Sequence, residues 1–384
     1  MKRKSIVAVF LALVMSVVAV FALVGCGGGG GSKDKHAVDD SFVGCISSES
    51  YSSADSAVRA FLTEEIDGAA THTTFVDAKE GKALTAKEIG NLELGDEISV
   101  DDIDSAVYYT VTYTTDNYSG YGILTSADSD VSSYKIVVIK IGSRYYYYVP
   151  VMPNGGTLTK SYISMVCDPS KYQNVTITET SNTEAKVSMG PLGNMTSNSV
   201  ITSITEITED KVHLKIVTSM AMSMVGESEQ DEATMEYYIV KVGDSLVAYY
   251  YDDDSEEWRR GGGATDYSSI EEVIKEAFKF DHSYFERTSS GFKMSEGKLE
   301  QYLTDVMGSS FEAILDMGLE INKASAEYYV KNGRLDESVV NISLGVSMGS
   351  LGTTAKATAH ATYTKFGTTK ITLPFSVEEE TPEE

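Results

Sequence analysis

From Ile6 to Val24 every residue except Ser16 is apolar, and this run fixes which part of the chain is left to fold in water. Lys2-Arg3-Lys4 precedes it, and Cys26 followed by five glycines, Gly27 to Gly31, closes it. A short cationic head, an apolar stretch and small residues at its end have the order of an export signal. The run is also close to the ~20 residues that span a bilayer, so a retained transmembrane anchor is the alternative reading. Both readings put the remainder outside the membrane.

Leu23-Val24-Gly25-Cys26 resembles the lipobox of bacterial lipoproteins. That resemblance implies cleavage before Cys26 and a diacylglyceryl group on its thiol. It also implies a protein held by lipid on the extracytoplasmic face of the cell membrane. Two acyl chains anchor durably where one binds marginally. Residues 1–25 would then be the signal peptide, and 26–46, rich in Gly, Ser and Asp, a flexible linker.

Loss of residues 1–25 takes away three of the 31 basic residues and none of the 57 acidic ones. The mature chain carries 28 against 57, a formal charge of −29. Nucleic-acid binding asks for basic patches, and this balance excludes it as a partner class. Two cysteines remain besides Cys26, Cys45 and Cys167; outside the membrane they can pair as a disulfide or stay free and buried. There is no CxxC and no Cys/His quartet, and the five histidines are scattered, so neither metal nor cofactor is expected.

The 359 mature residues exceed one ordinary domain, and the pattern divides near residue 172. In 47–172 a helix is expected from Ala54, Ala57, Val58, Phe61, Leu62 and Ile66, which recur at helical spacing. Thr85-Ala86-Lys87-Glu88 is a capping box opening a second, short helix. Val107–Thr115, Tyr121–Ser126, Tyr134–Ile141 and Arg144–Val151 then read as strands, with a tight turn at Gly142-Ser143. Helices followed by an antiparallel meander make an α+β layer arrangement, a helix lying on a curved antiparallel sheet. By element order this domain resembles the cystatin-like, nuclear-transport-factor-like group.

The unit 173–377 reads as strands at Asn174–Thr180, Ala185–Met189, Val200–Ile207, Lys211–Met224, Met235–Val242 and Ser245–Tyr251. Asp252–Glu257 reads as a turn before Trp258, the only tryptophan. Ser269-Ile270-Glu271-Glu272 opens a helix with Ile270, Val273, Ile274, Ala277 and Phe278 on one face. Helical segments near Glu296–Leu303 and Phe311–Leu319 follow. Ala324–Lys331 and Leu335–Met348 flank Asn332-Gly333, a type I′ hairpin signal, and Thr353–Phe366 and Thr369–Val377 end the unit as strands. Residues 378–384 are an acidic tail. The Tyr-rich hairpin ending at Trp258, the helices after it and Phe366-Gly367-x-x-x-Ile371-x-Leu373-Pro374 resemble the LolA/LppX-like lipid and lipoprotein carriers. The resemblance implies a large antiparallel half-barrel with helices packed in its concave face and an apolar cavity for acyl chains.

Met220, Met222 and Met224 alternate and so share one side of a strand, where they would line such a cavity or fill a core. Tyr145 to Tyr148 would send two rings into the core and two outward. Gly345-Val346-Ser347-Met348-Gly349 fits G-x-S-x-G, but more strand follows where a nucleophile elbow needs a strand-to-helix turn. Asp252–Glu257 lacks the spacing of a calcium loop. No catalytic residues are assigned. The expected function is a non-enzymatic, lipid-anchored lipoprotein binding an apolar ligand or envelope component. Its alternative is a surface scaffold or adhesion protein that binds a protein or wall polymer; an envelope hydrolase comes third.

Overall fold

The computed structural model describes residues 36–94, 98–117, 130–150, 158–188, 194–224, 227–253, 255–264, 267–295, 297–307, 319–348 and 351–377. The export segment with Cys26, the expected strand 121–126, most of the expected helix 311–319 and the acidic tail lie outside these residues. Among the described residues no helix is long and apolar enough to cross a membrane.

The fold is α+β, with two open antiparallel sheets. The first comprises β1 (Cys45–Ile46), β2 (Thr71–Ala83), β3 (Ser105–Asn117), β4 (Asp130–Ile141) and β5 (Arg144–Val149), in spatial order β1-β5-β4-β3-β2. Helix α1 (Ala54–Phe61) is opened by Ser53, whose hydroxyl accepts from the Ser56 N–H, and passes into a π-helical turn over Leu62–Ile66. Its apolar stripe, Ala57, Val58, Phe61, Leu62 and Ile66, is buried with Val111, Tyr113, Ile136, Val138 and Tyr147 of the sheet. Helix α2 (Ala86–Ile89) has the capping box read from Thr85 and Glu88. Helix α3 (Lys160–Val166), which has no side-chain cap, was not foreseen.

The second sheet has eleven strands. They are β6 (Val175–Ser188), β7 (Asn194–Ile207), β8 (Lys211–Met224), β9 (Glu227–Val242), β10 (Ser245–Asp252), β11 (Glu257–Ala264), β12 (Phe285–Thr288), β13 (Gly291–Met294), β14 (Leu319–Lys331), β15 (Arg334–Met348) and β16 (Leu351–Thr364). The spatial order is β11-β10-β9-β8-β7-β6-β16-β15-β14-β13-β12. Helix α4 (Ile270–Ala277), capped by Ser269, buries Ile270 and Ile274 as its stripe requires. Helix α5 (Leu299–Met307) follows. Asn332 and Gly333 both have positive φ, 54° and 68°, the geometry of a type I′ turn.

Four expectations are corrected. The turn before Trp258 leads into a strand that the sequence reading left out, β11, which has Trp258 as its second residue and runs through Gly261 to Gly263. Thr369–Val377 belongs to no sheet: Ile371, Leu373, Phe375 and Val377 instead pack as a strap on Tyr238, Val240, Val247, Tyr249 and Trp258. Tyr145 to Tyr148 do not divide into an inward and an outward pair, because both faces of the first sheet are covered. Tyr147 sits in the main core, while Tyr148 is buried with Leu84, Leu94, Ala106, Val137 and Ile139. Finally, the stretch expected as linker is docked from residue 36: His36 stacks on Tyr329, and Asp39 and Phe42 are buried.

One buried cluster runs through both sheets. At its centre Tyr172 stacks on Phe278 with ring centroids 4.0 Å apart, donates to Val166 O and accepts from the Leu335 N–H. A second seam joins Gly68–Thr71 to Asp281–Ser283. Asp281 Oδ2 accepts from the Ala69 N–H at 2.9 Å, and Ser283 Oγ from the Ala70 N–H at 3.0 Å. A Cβ at Gly68 would lie 2.5 Å from Asp281 Oδ1, so the close approach requires glycine there.

Candidate functional site

In an antiparallel sheet, residues directly opposite one another project to the same side. Three rows of the large sheet follow from the register. Ala185, Ser197, Met222 and Glu229 form one; Thr183, Ser199, Met220 and Asp231 the next; Ser181, Ile201, Thr218 and Ala233 the third. Farther along the same face Ile216 lies opposite Met235, and Leu214 opposite Tyr237, itself opposite Tyr250. On the other flank β16 presents Ala355, Ala357, Ala359 and Ala361, all buried.

This face changes character from one side to the other. Ser181, Thr183, Ser197 and Ser199 are buried; Met220 and Met222 are half-buried against the main core; Met235 and Tyr237 are 45% and 39% exposed. Met220 and Met222 thus stand where the alternation placed them. Met224 lies opposite Met195 in the same register, and its side chain is outside the described residues.

The hydroxyls of Ser181, Ser197 and Ser199 have no hydrogen-bond partner among the described residues. A buried polar group left unmade costs about 1–3 kcal/mol, so three together are a substantial charge against folding. The sequence hid them. Ser and Thr on alternate strand positions read as a solvated face, and only the cross-strand register brings Ser181, Ser197 and Ser199 together. The Ser197/Ser199 alternation was the one signal available.

The other sequence candidates are placed as follows. Cys45 and Cys167 are free thiols, Cys45 half-buried and Cys167 buried. Burial pushes both thiols up, and the Cys45 Sγ donates to Ile46 O at 3.4 Å. Gly345 to Met348 are strand residues of β15, and Leu351 resumes in β16, so no strand-to-helix turn presents Ser347. Asp252 is paired with Arg259 at 2.8 Å. Among the described residues no group of three His, Cys, Asp or Glu could hold a metal ion.

Sequence reasoning also missed a polar cluster on the π-helical turn. Glu64 accepts from Tyr51 OH at 2.6 Å and from Tyr147 OH at 2.8 Å. Glu65, buried, accepts from the Ser161 N–H at 2.9 Å and from the Ser161 hydroxyl. Burial pushes the Glu65 carboxyl up, with the Ser161 bonds offsetting part of the rise. The cluster ties α3 to the end of α1. At the seam of Gly68–Thr71 with Asp281–Ser283 stands a half-buried Lys298, its ammonium donating to Thr71 Oγ1, Ser283 O and Ala70 O.

Comparison with family models, with curated proteins and with solved structures gives no match to this chain. The face on the large sheet is therefore weighed on its own chemistry. It has an apolar slope, adaptable methionines and exposed aromatic rings at one end, with buried hydroxyl donors at the other.

Proposed function

We propose that this protein is a non-enzymatic bacterial lipoprotein, anchored through lipid on Cys26 to the extracytoplasmic side of the cell membrane. Its second unit, residues 173–377, takes an apolar ligand on the inner face of the eleven-stranded sheet. The half-barrel form belongs to this proposal, with helices against the concave side as in the LolA/LppX-like carriers. So does a cystatin-like first unit, residues 47–172, as spacer or interaction module.

The observation that carries the reading is the face that runs from Ser199 through Met220 and Met222, and by Thr218 and Ile216, to Met235, Tyr237 and Tyr250, with Glu229 and Asp231 at the outer ends of two of its rows. Ordinary sheet faces are either closed into a core or polar toward solvent. Methionine on such a slope adapts to irregular apolar shapes, and exposed aromatic rings at its end offer a landing surface.

The test is mass spectrometry of organic extracts from the full chain purified from its native membrane. Stoichiometric lipid bound to the protein, beyond the acyl groups on Cys26, is the expected result. A protein that carries none and takes up none from added vesicles would contradict it. Intact-mass analysis of the same sample reads the Cys26 modification directly.

A further inference from the structure

Resting on that reading, we infer that Ser181, Ser197 and Ser199 hydrogen-bond the ester carbonyls of a neutral, multiply acylated lipid. The three residues are 2%, 3% and 3% exposed, and their hydroxyls lack partners among the described residues. Volume does not explain them. Strand β16 meets the same need for small side chains with Ala355, Ala357, Ala359 and Ala361, which leave no polar atom unpaired. A serine kept where alanine fits supplies a donor, and a donor buried beside methionine calls for an acceptor borne by an apolar molecule.

The charges near the hydroxyls narrow the class. In the three rows that hold them the only charged side chains are Glu229 and Asp231, both acidic. Carboxylate and phosphate ligands would meet repulsion and no cation, so a free fatty acid or a phospholipid head group fits poorly at this place. An ester carbonyl is an uncharged acceptor. Ser197 and Ser199 are two residues apart on one strand, about 7 Å. At that spacing two acceptors, one for each hydroxyl, are met without either side chain leaning toward the other. Ser181, opposite Ile201, continues the line onto the neighbouring strand. A ligand that carries more than one ester matches this spread of donors.

The experiment compares 1,2-dioleoylglycerol with its diether analogue, which has the same chains and free hydroxyl but no carbonyls. Binding to the delipidated full chain is read by native mass spectrometry. The wild type is expected to bind the diester at least tenfold more tightly. The triple variant S181A/S197A/S199A should bind both lipids equally, near the diether's affinity. Its folding is checked by circular dichroism, and Ser199→Ala alone should show an intermediate preference. Equal binding of diester and diether by the wild type overturns the ester assignment and leaves the apolar site standing. A diester preference that survives the triple substitution also overturns it. Failure of the wild type to bind either lipid overturns the proposed function itself.

Discussion

Arg287 and Asp39 form a buried ion pair, Nη2 to Oδ2 at 2.9 Å, with side chains 6% and 1% exposed. It fastens the start of the described chain to the second sheet. Each charge is further satisfied: Tyr162 OH donates to Asp39 Oδ2 at 2.6 Å, and Arg287 donates to Asp39 O, Thr288 O and Gly291 O. Removing one member of such a pair leaves the other charged and dry, which costs about 3–5 kcal/mol. Arg287→Met is expected to lose about that much in urea unfolding. The double variant R287M/D39L should recover only part of it: no charge is left dry, but the Tyr162 hydroxyl and the carbonyls of Asp39, Thr288 and Gly291 lose their partners.

Lys298 gives a signed pH dependence. Burial pulls its ammonium down to about 8, from 10.5 in the unfolded chain. Between those values the unfolded state holds more protons than the native one, so stability rises with pH across that window. The rise is at most about 3 kcal/mol. Urea midpoints for wild type and Lys298→Met, measured from pH 7.5 to 9.5, should diverge in slope, with only the wild type climbing on this account. Parallel slopes would show that the buried ammonium is not desolvated as its contacts imply.

Glu65 has the opposite sign. Its carboxyl is held up by burial, above the ordinary 4.5. The native state therefore keeps its proton after the unfolded state has lost it, and stability falls as pH rises through that interval. Glu65→Gln removes the titration; its amide oxygen can still accept from the Ser161 N–H, and its amide nitrogen can donate to the Ser161 hydroxyl with the direction of that bond reversed. Its stability profile should be flatter than the wild type's from pH 4.5 upward. A wild type already flat there would count against a desolvated carboxyl.

The strap can be read through the protein's only tryptophan. Phe375 packs 5.1 Å from Trp258, 4.6 Å from Tyr249 and 5.6 Å from Tyr238, centroid to centroid. Phe375→Ala should shift Trp258 fluorescence to the red. The stability cost should stay below the about 3–5 kcal/mol of a fully buried Phe→Ala change, because Phe375 is partly exposed. Unchanged emission would mean that the strap does not shield the ring.

Where local chemistry alone sets an element, the sequence was readable. Ser269 and the Ile270/Ile274 spacing gave α4, Thr85 and Glu88 gave α2, and Asn332-Gly333 gave its turn because few residues other than Asn and Gly tolerate positive φ in pairs. Edge strand β2 was not readable. It is exposed over most of its length and interrupted by bulges at Phe75/Asp77 and Glu80/Ala83, so no alternation survives. The strap misled for the converse reason. Ile371, Leu373, Phe375 and Val377 alternate because one side of an extended chain is covered, and period two reports that coverage, not pairing in a sheet. The serines of the candidate site needed register, which depends on strand ends that lie far apart in sequence.

The docking of Asp39 decides where tension goes. A pull on the amino end meets first the stack of His36 on Tyr329 and then the bonds from Asp39 to Arg287 and Ser289, and passes through β14 and the β12–β13 hairpin into the large sheet. The two-residue strand β1, held to β5 by a short ladder that would unzip one rung at a time, sits downstream of that clamp and is shielded. A body moored by its amino end would thus be dragged by its larger half, leaving the smaller sheet slack.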